Sequence, residues 1–145
     1  MNATGKEANK ATELLLVAEA LNKGNMTVID EILTPDFTYH GPTGDIKGIE
    51  SYKQFLTLLR TAYPDIHVDV KDIVAEDDFV ATRTLSTFTF TGQIDAVTPT
   101  GKKVAMSSMI IDRFENGKLA ETWEHYDRLD VNQQLGLLSY TRLPA

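Results

Sequence analysis

The chain has 145 residues, 42% of them hydrophobic, which is the size and composition of one globular domain spanning residues 1–145. It holds no cysteine, excluding disulfides and thiolate catalysis, and its net charge of −7 disfavours nucleic acid and anionic lipid as partners. No apolar run approaches the roughly 20 residues of a bilayer span. The opening MNATGKEANKATELLL is charged throughout and has no cleavage site after an apolar core, so it does not read as a signal peptide. A cytoplasmic protein acting on a small molecule, or binding another protein, is the expectation.

Ala8, Ala11, Leu14, Leu15, Ala18 and Leu21 recur at steps of three and four, predicting an amphipathic helix that ends at Asn22-Lys23-Gly24. Thr27 and Asp30 resemble a capping box opening a short helix that runs to about Leu33, before Pro35. Phe37 to His40 is a short strand candidate, followed by the turn Gly41-Pro42-Thr43-Gly44. A second long helix carries Ile49, Tyr52, Phe55, Leu56 and Leu59 on one face and stops at Pro64.

Beyond Pro64 the period becomes two. Ile66, Val68 and Val70 alternate with His67, Asp69 and Lys71, and Glu76-Asp77-Asp78 makes a charged turn. Phe79–Thr91 and Lys102–Glu115 read as long strands separated by a loop at Thr98-Pro99-Thr100-Gly101. Asn116-Gly117 is a strong hairpin signal, because a type I′ turn needs positive φ at both central residues. Lys118–Asp127 returns as the last strand, and Asp130 with Gln133 is expected to cap a closing helical turn near Gly136. Helices followed by a long meander define an α+β fold, a curved antiparallel sheet packed against N-terminal helices around an apolar pocket.

The fragments Asp36-Phe37-Thr38-Tyr39-His40-Gly41-Pro42, Gly48-Ile49-Glu50, Tyr63-Pro64-Asp65 and Pro99-Thr100-Gly101-Lys102 occur in this order. They are followed by Asn116 to Trp123 and by Asp127 with Gln134-Leu135-Gly136. In order and spacing they resemble the SnoaL-like polyketide cyclases, of the nuclear-transport-factor-2-like fold, over about residues 21–136. The resemblance implies a cone-shaped half-barrel, usually a homodimer, needing no metal or organic cofactor. It also implies ring closure by intramolecular aldol condensation, with a carboxylate inside the cone as acid and base. The matching position is Asp127, four residues after Trp123. One position departs: Phe90 stands where family members often carry histidine before the glycine that ends the middle strand.

On the last strand Glu121, Trp123, His125 and Asp127 share one face, and Thr122, Glu124 and Tyr126 the other. If Trp123 faces the cavity, so do His125 and Asp127. A carboxylate desolvated beside an indole has its pKa raised toward the working range of an acid/base. Asp127 is then the general acid/base and His125 its helper. The structural alternatives are an Asp127 paired with Arg83, Arg113 or Arg128, or leading into a helix cap, and a His125 bonded to backbone.

Trp123 with Phe90 or Phe88 would wall the pocket, His40 would sit at its rim, and Tyr39 or Tyr52 could donate to a carbonyl oxygen. His67 reads as surface. His125-Tyr126-Asp127 supplies two ligands of a facial metal triad, but no third follows clearly, so no metal is expected. The function that results is a cofactor-independent cyclase or isomerase acting on a hydrophobic carbonyl compound. The alternatives are a noncatalytic ligand-binding or dimerisation module, and a dehydratase or epoxide hydrolase. Apolar residues on both faces of the long strands, such as Leu85 against Phe88 and Met109 against Ile110, favour a homodimer.

Overall fold

In a computed structural model that describes residues 3–138, the chain forms four helices and six strands. Helix α1 (Ala3–Leu15) runs directly into a π-helical segment, Leu16–Asn22. The buried face of this long element is Asn9, Glu13, Leu16, Val17 and Ala20, also a helical spacing. The expected stripe, apart from Leu21, lies on the solvent side, with Leu14 and Leu15 43% and 45% exposed. The face that turns inward is the one carrying Leu16, Val17 and Ala20, whose burial brings Glu13 in against Asp112.

Asn22 then behaves like a strand residue, its side chain accepting from Val68 N at 2.7 Å and donating to Val68 O at 3.0 Å. Helix α2 (Thr27–Ile32) is opened by Asn25, whose Oδ1 accepts from both Thr27 N and Thr27 Oγ1, in place of the expected capping box at Thr27. Strand β1 (Leu33–Gly41) is longer than predicted and absorbs Pro35 in an irregular stretch, where a strand tolerates proline. The Gly41–Gly44 turn returns a short strand not foreseen from sequence, β2 (Gly44–Lys47). Helix α3 (Ile49–Ala62) buries Tyr52 and Leu56, and its Arg60 donates to Leu21 O and Asn22 O at the end of the π-helical segment.

The meander β3 (His67–Glu76), β4 (Phe79–Thr89), β5 (Lys103–Glu115) and β6 (Lys118–Tyr126) follows the predicted order. The sheet runs β2-β1-β6-β5-β4-β3, antiparallel except where β1 lies parallel to β6. The β5–β6 turn has the foreseen left-handed residues, Asn116 at φ 50° and Gly117 at φ 81°. Gly92 is needed for closeness instead. A Cβ there would stand 1.7 Å from Thr61 O, so only glycine lets the chain after β4 close on the end of α3. Helix α4 (Arg128–Gln134) is N-capped by Asp127 rather than Asp130. Its Asp127 Oδ1 accepts from Asp130 N at 2.9 Å.

Two buried clusters result. One joins Leu16, Ile29, Phe37, Tyr52 and Phe114 under the first helices; the other joins Ala62, Phe88, Phe90, Val104 and Leu135 at the opposite end. The half-barrel leaves a space between them. On its outer face Val74, Met109 and Ile111 are 64%, 62% and 48% exposed. No helix among the described residues is long and apolar enough to cross a membrane.

Candidate functional site

The space between the clusters is a cavity of about 330 Å³. Its two sides differ in chemistry because they come from different elements. Leu16, Val17 and Leu21 of the π-helical segment, with Phe55, Leu56 and Leu59 of α3, make an apolar side. The sheet presents Thr84 and Ser86 from β4, Asp112 from β5, and Thr122, Glu124 and Tyr126 from β6. Glu13 reaches the same space from α1.

The carboxyls are arranged around neutral hydroxyls. Thr122 Oγ1 donates to Asp112 Oδ1 at 2.5 Å, and Tyr39 Oη donates to Glu124 Oε1 at 2.6 Å. Glu13 and Asp112 are 4% and 1% exposed and act on one another electrostatically. Glu13 Oε2 and Asp112 Oδ2 find no donor among the described residues. Two buried carboxyls so placed favour holding at least one proton between them.

Burial, then the charge and hydrogen bond of Asp112, pushes Glu13 well above the ordinary glutamate value. Burial raises Asp112 too, while the hydrogen bonds from Glu13 and Thr122 hold it down. The proton therefore rests mainly on Glu13. Burial and the nearby Glu124 charge also raise Tyr39 and Tyr52, which stay neutral donors.

The residues expected from sequence divide between the two sides of the sheet. Tyr39, Tyr52 and Phe88 line the cavity. Phe90 is 2% exposed and belongs to the second core cluster, near Tyr63, not to the cavity wall. Trp123 lies on the outer face, its indole stacked on His40 at a centroid separation of 5.4 Å. His125 is exposed on that face, and Asp127 is exposed as the α4 cap. His40 bonds Glu121 Oε2 through Nε2 at 2.6 Å and Asp45 Oδ1 through Nδ1 at 2.8 Å. Trp123, His40 and His125 meet only at a shallow outer recess.

A β-bulge explains the reversal. An uninterrupted Asn116-Gly117 hairpin would pair Asp112 with Glu121 and Ile110 with Trp123, turning the indole inward. Instead the register shifts after Phe114↔Leu119 to Arg113↔Glu121, leaving Ala120 as an extra residue. Asp112 then faces Thr122 and Ile110 faces Glu124. Leu119 and Ala120, buried consecutively, were the sequence sign of this break in alternation. Among the described residues no group of three His, Cys, Asp or Glu is disposed to hold a metal ion.

A family model described as SnoaL-like polyketide cyclase matches residues 12–135. No curated protein matches the chain. Among solved structures, a candidate polyketide cyclase from Acidithiobacillus ferrooxidans is 29% identical at TM-score 0.79, covering 94% of this chain and 98% of that one. AclR, a candidate hydroxylase from Streptomyces galilaeus, is 28% identical at TM-score 0.80, covering 94% and 90%. A candidate SnoaL-like polyketide cyclase from Jannaschia sp. CCS1 has TM-score 0.86 and 23% identity, covering 96% and 99%, and shares the fold.

Proposed function

The chain belongs to the SnoaL-like polyketide cyclase family, and from that premise we propose that it is a cofactor-independent cyclase or isomerase whose acid/base is the Glu13–Asp112 pair. The observation that carries this reading is a pair of buried carboxyls, Glu13 and Asp112, both raised by burial, on the wall of a ligand-sized cavity. A noncatalytic binder has no use for such a pair, since burying two acids costs stability that shape-based binding does not require.

In the proposed reaction, Asp112 as carboxylate removes a proton from carbon next to the substrate carbonyl. Glu13 donates its proton to the carbonyl oxygen as negative charge develops there. Two carboxyls sharing one proton thus provide base and acid at once. In the cyclase form, the enol carbon attacks a second carbonyl carbon of the same molecule. A carbon–carbon bond forms, the second carbonyl becomes a hydroxyl by taking the proton now on Asp112, and the first enol oxygen returns its proton to Glu13 as its C=O reforms. Thr122 positions Asp112 through its hydrogen bond.

The test needs no knowledge of the natural substrate. Carbon-bound hydrogen exchange of 2-tetralone and of aryl 1,3-diketones in D2O, followed by proton NMR, reads the proton-abstraction step directly. The chain should accelerate exchange, and Asp112→Asn should slow it by about 10²–10⁴, the usual share of general acid–base catalysis. Glu13→Gln, which keeps a donor toward Asp112, should slow it as well without unfolding the protein. Wild-type protein that exchanges none of these compounds, or dyad variants as fast as wild type, would remove the enolisation reading.

The exposed Val74, Met109 and Ile111 support a homodimer packed across the outer sheet face as part of the same reading. Sedimentation at micromolar concentration should give twice the chain mass; a monomer refutes this assembly.

A further inference from the structure

The cavity contains acids and no buried base to balance them. In the proposed dyad one proton serves two carboxyls, and Glu124 places a third carboxyl on the same cavity wall. The hydrogen bond that Glu124 accepts comes from Tyr39, a neutral hydroxyl. Among the described residues lining the cavity the one cation is Arg128, exposed at the start of α4. Charge withdrawn from water is normally paired, because desolvating an ion is costly unless a partner compensates it. The missing positive group is therefore expected from the occupant.

A separate feature shows where it would sit. Tyr39, Tyr52 and Phe55 form a contiguous cluster of rings on the cavity wall. Their centroids are 5.4 Å apart for Tyr39–Phe55, 5.9 Å for Tyr39–Tyr52 and 6.2 Å for Tyr52–Phe55. Tyr39 is the ring that bonds Glu124, so the aromatic faces and the carboxylate belong to one corner. Ring faces attract a cation electrostatically, most strongly where water is excluded, and such cages suit alkylated ammonium groups.

We propose that the compound bound in this cavity carries a protonated or quaternary amine, seated among Tyr39, Tyr52 and Phe55 against Glu124. The inference rests on the cavity being the site of the proposed reaction. It assigns Glu124 to recognition and leaves proton transfer to Glu13 and Asp112. A neutral carbonyl compound fills the apolar side equally well but leaves the Glu124 corner uncompensated. An anionic one is repelled by both acidic groups. An amino-ketone skeleton, with its ammonium in the aromatic corner and its carbonyl toward the dyad, meets all three surfaces.

Three probes of one size and shape separate these cases: 1-aminoadamantane, 1-adamantanol and 1-adamantanecarboxylate, bound to the full chain in calorimetric titrations. The amine should bind at least about tenfold more tightly than the alcohol, as a desolvated cation–π and carboxylate site allows, and the carboxylate should bind weakest. Glu124→Gln keeps the hydrogen bond to Tyr39 and should bring amine and alcohol to similar affinity. Phe55→Leu should weaken the amine more than the alcohol and so narrow their ratio, giving a second readout should the first variant fold poorly. An alcohol equal to the amine, a carboxylate that displaces it, an amine that does not bind, or an amine preference that survives both variants overturns the inference. Exchange catalysis lost in Asp112→Asn without any amine preference would sink this inference alone. An amine preference in a chain that exchanges no carbonyl compound would sink the enolisation reading alone.

Discussion

Glu13 and Glu121 are the same residue type on the two sides of one sheet, and their environments drive them in opposite directions. Glu13, inside, faces another acid and no cation, so burial raises its pKa and it keeps its proton. Glu121, outside, receives His40 at 2.6 Å and Arg113 Nη2 at 3.2 Å, and those partners hold it below the ordinary carboxylate value. The outer residue is an ion-pair partner screened by water. The inner one is a proton store. Chemistry on this fold follows from which face a residue takes, more than from which acid it is.

The largest expected effect breaks the comparison directly. In the exchange assay Asp112→Asn loses about 10²–10⁴ of the rate, whereas Asp127→Asn and His125→Ala on the outer side should leave it within about twofold, the sort of change expected where no reacting atom is touched. Asparagine caps a helix as well as aspartate does, so Asp127→Asn also leaves α4 intact. Loss of exchange in Asp127→Asn with Asp112→Asn still active would reverse the assignment of faces.

The helices and strands were legible because their punctuation is local: Pro64 after α3, Asp77-Asp78 between β3 and β4, Asn116-Gly117 between β5 and β6. Strand β2 was missed because Gly44–Lys47 is too short to show a period. The carboxyls that line the cavity were not singled out, for two physical reasons. Pattern rules assign a glutamate in an amphipathic helix to water, and the alanines and leucines around Glu13 supplied a competing stripe. On β6, one extra residue at Ala120 inverted every later side chain, moving Trp123 and His125 out and Glu124 in. A single bulge is a small event in sequence and changes the whole chemistry of a strand. Tyr39, Tyr52 and Phe88 line the cavity, on stretches whose alternation no bulge inverts.

A smaller effect sharpens the contrast through pH. A group whose pKa is raised on folding contributes stability that is complete below its unfolded value and is lost as pH rises through the folded one. Glu13 is such a group, with an ordinary value of 4.5. Unfolding free energy should fall above that point by up to about 1.4 kcal/mol per pH unit, the limit for one proton. Glu13→Gln should flatten the slope and gain on wild type as pH rises. Urea titrations of both proteins from pH 5 to 9 check this; parallel curves would mean that Glu13 titrates alike in both states and that the dyad does not hold its proton.

The smallest effect belongs to the outer cluster. His40, raised mainly by its hydrogen bond to Glu121 and then by that to Asp45, contributes stability that is complete below 6.5 and lost as pH rises through its folded value. Glu121, lowered first by His40, contributes stability present above 4.5 and lost as pH falls through its folded value. The cluster therefore supports the fold best between those two points and weakens on both sides, while the inner dyad weakens it only on the alkaline side. Arg113, raised by its hydrogen bonds to Glu115 and Glu121, extends the network. Exposed pairs of this kind are worth under about 1 kcal/mol and are screened by salt. His40→Gln should accordingly lower the urea midpoint slightly at pH 5.5 and hardly at pH 9, and 1 M salt should erase the difference. The Glu13 effect, sealed from solvent, should persist in the same salt. A His40 effect that survives high salt, or that is larger at pH 9 than at pH 5.5, would show that the outer face is as enclosed as the inner one and that the contrast between the faces does not hold.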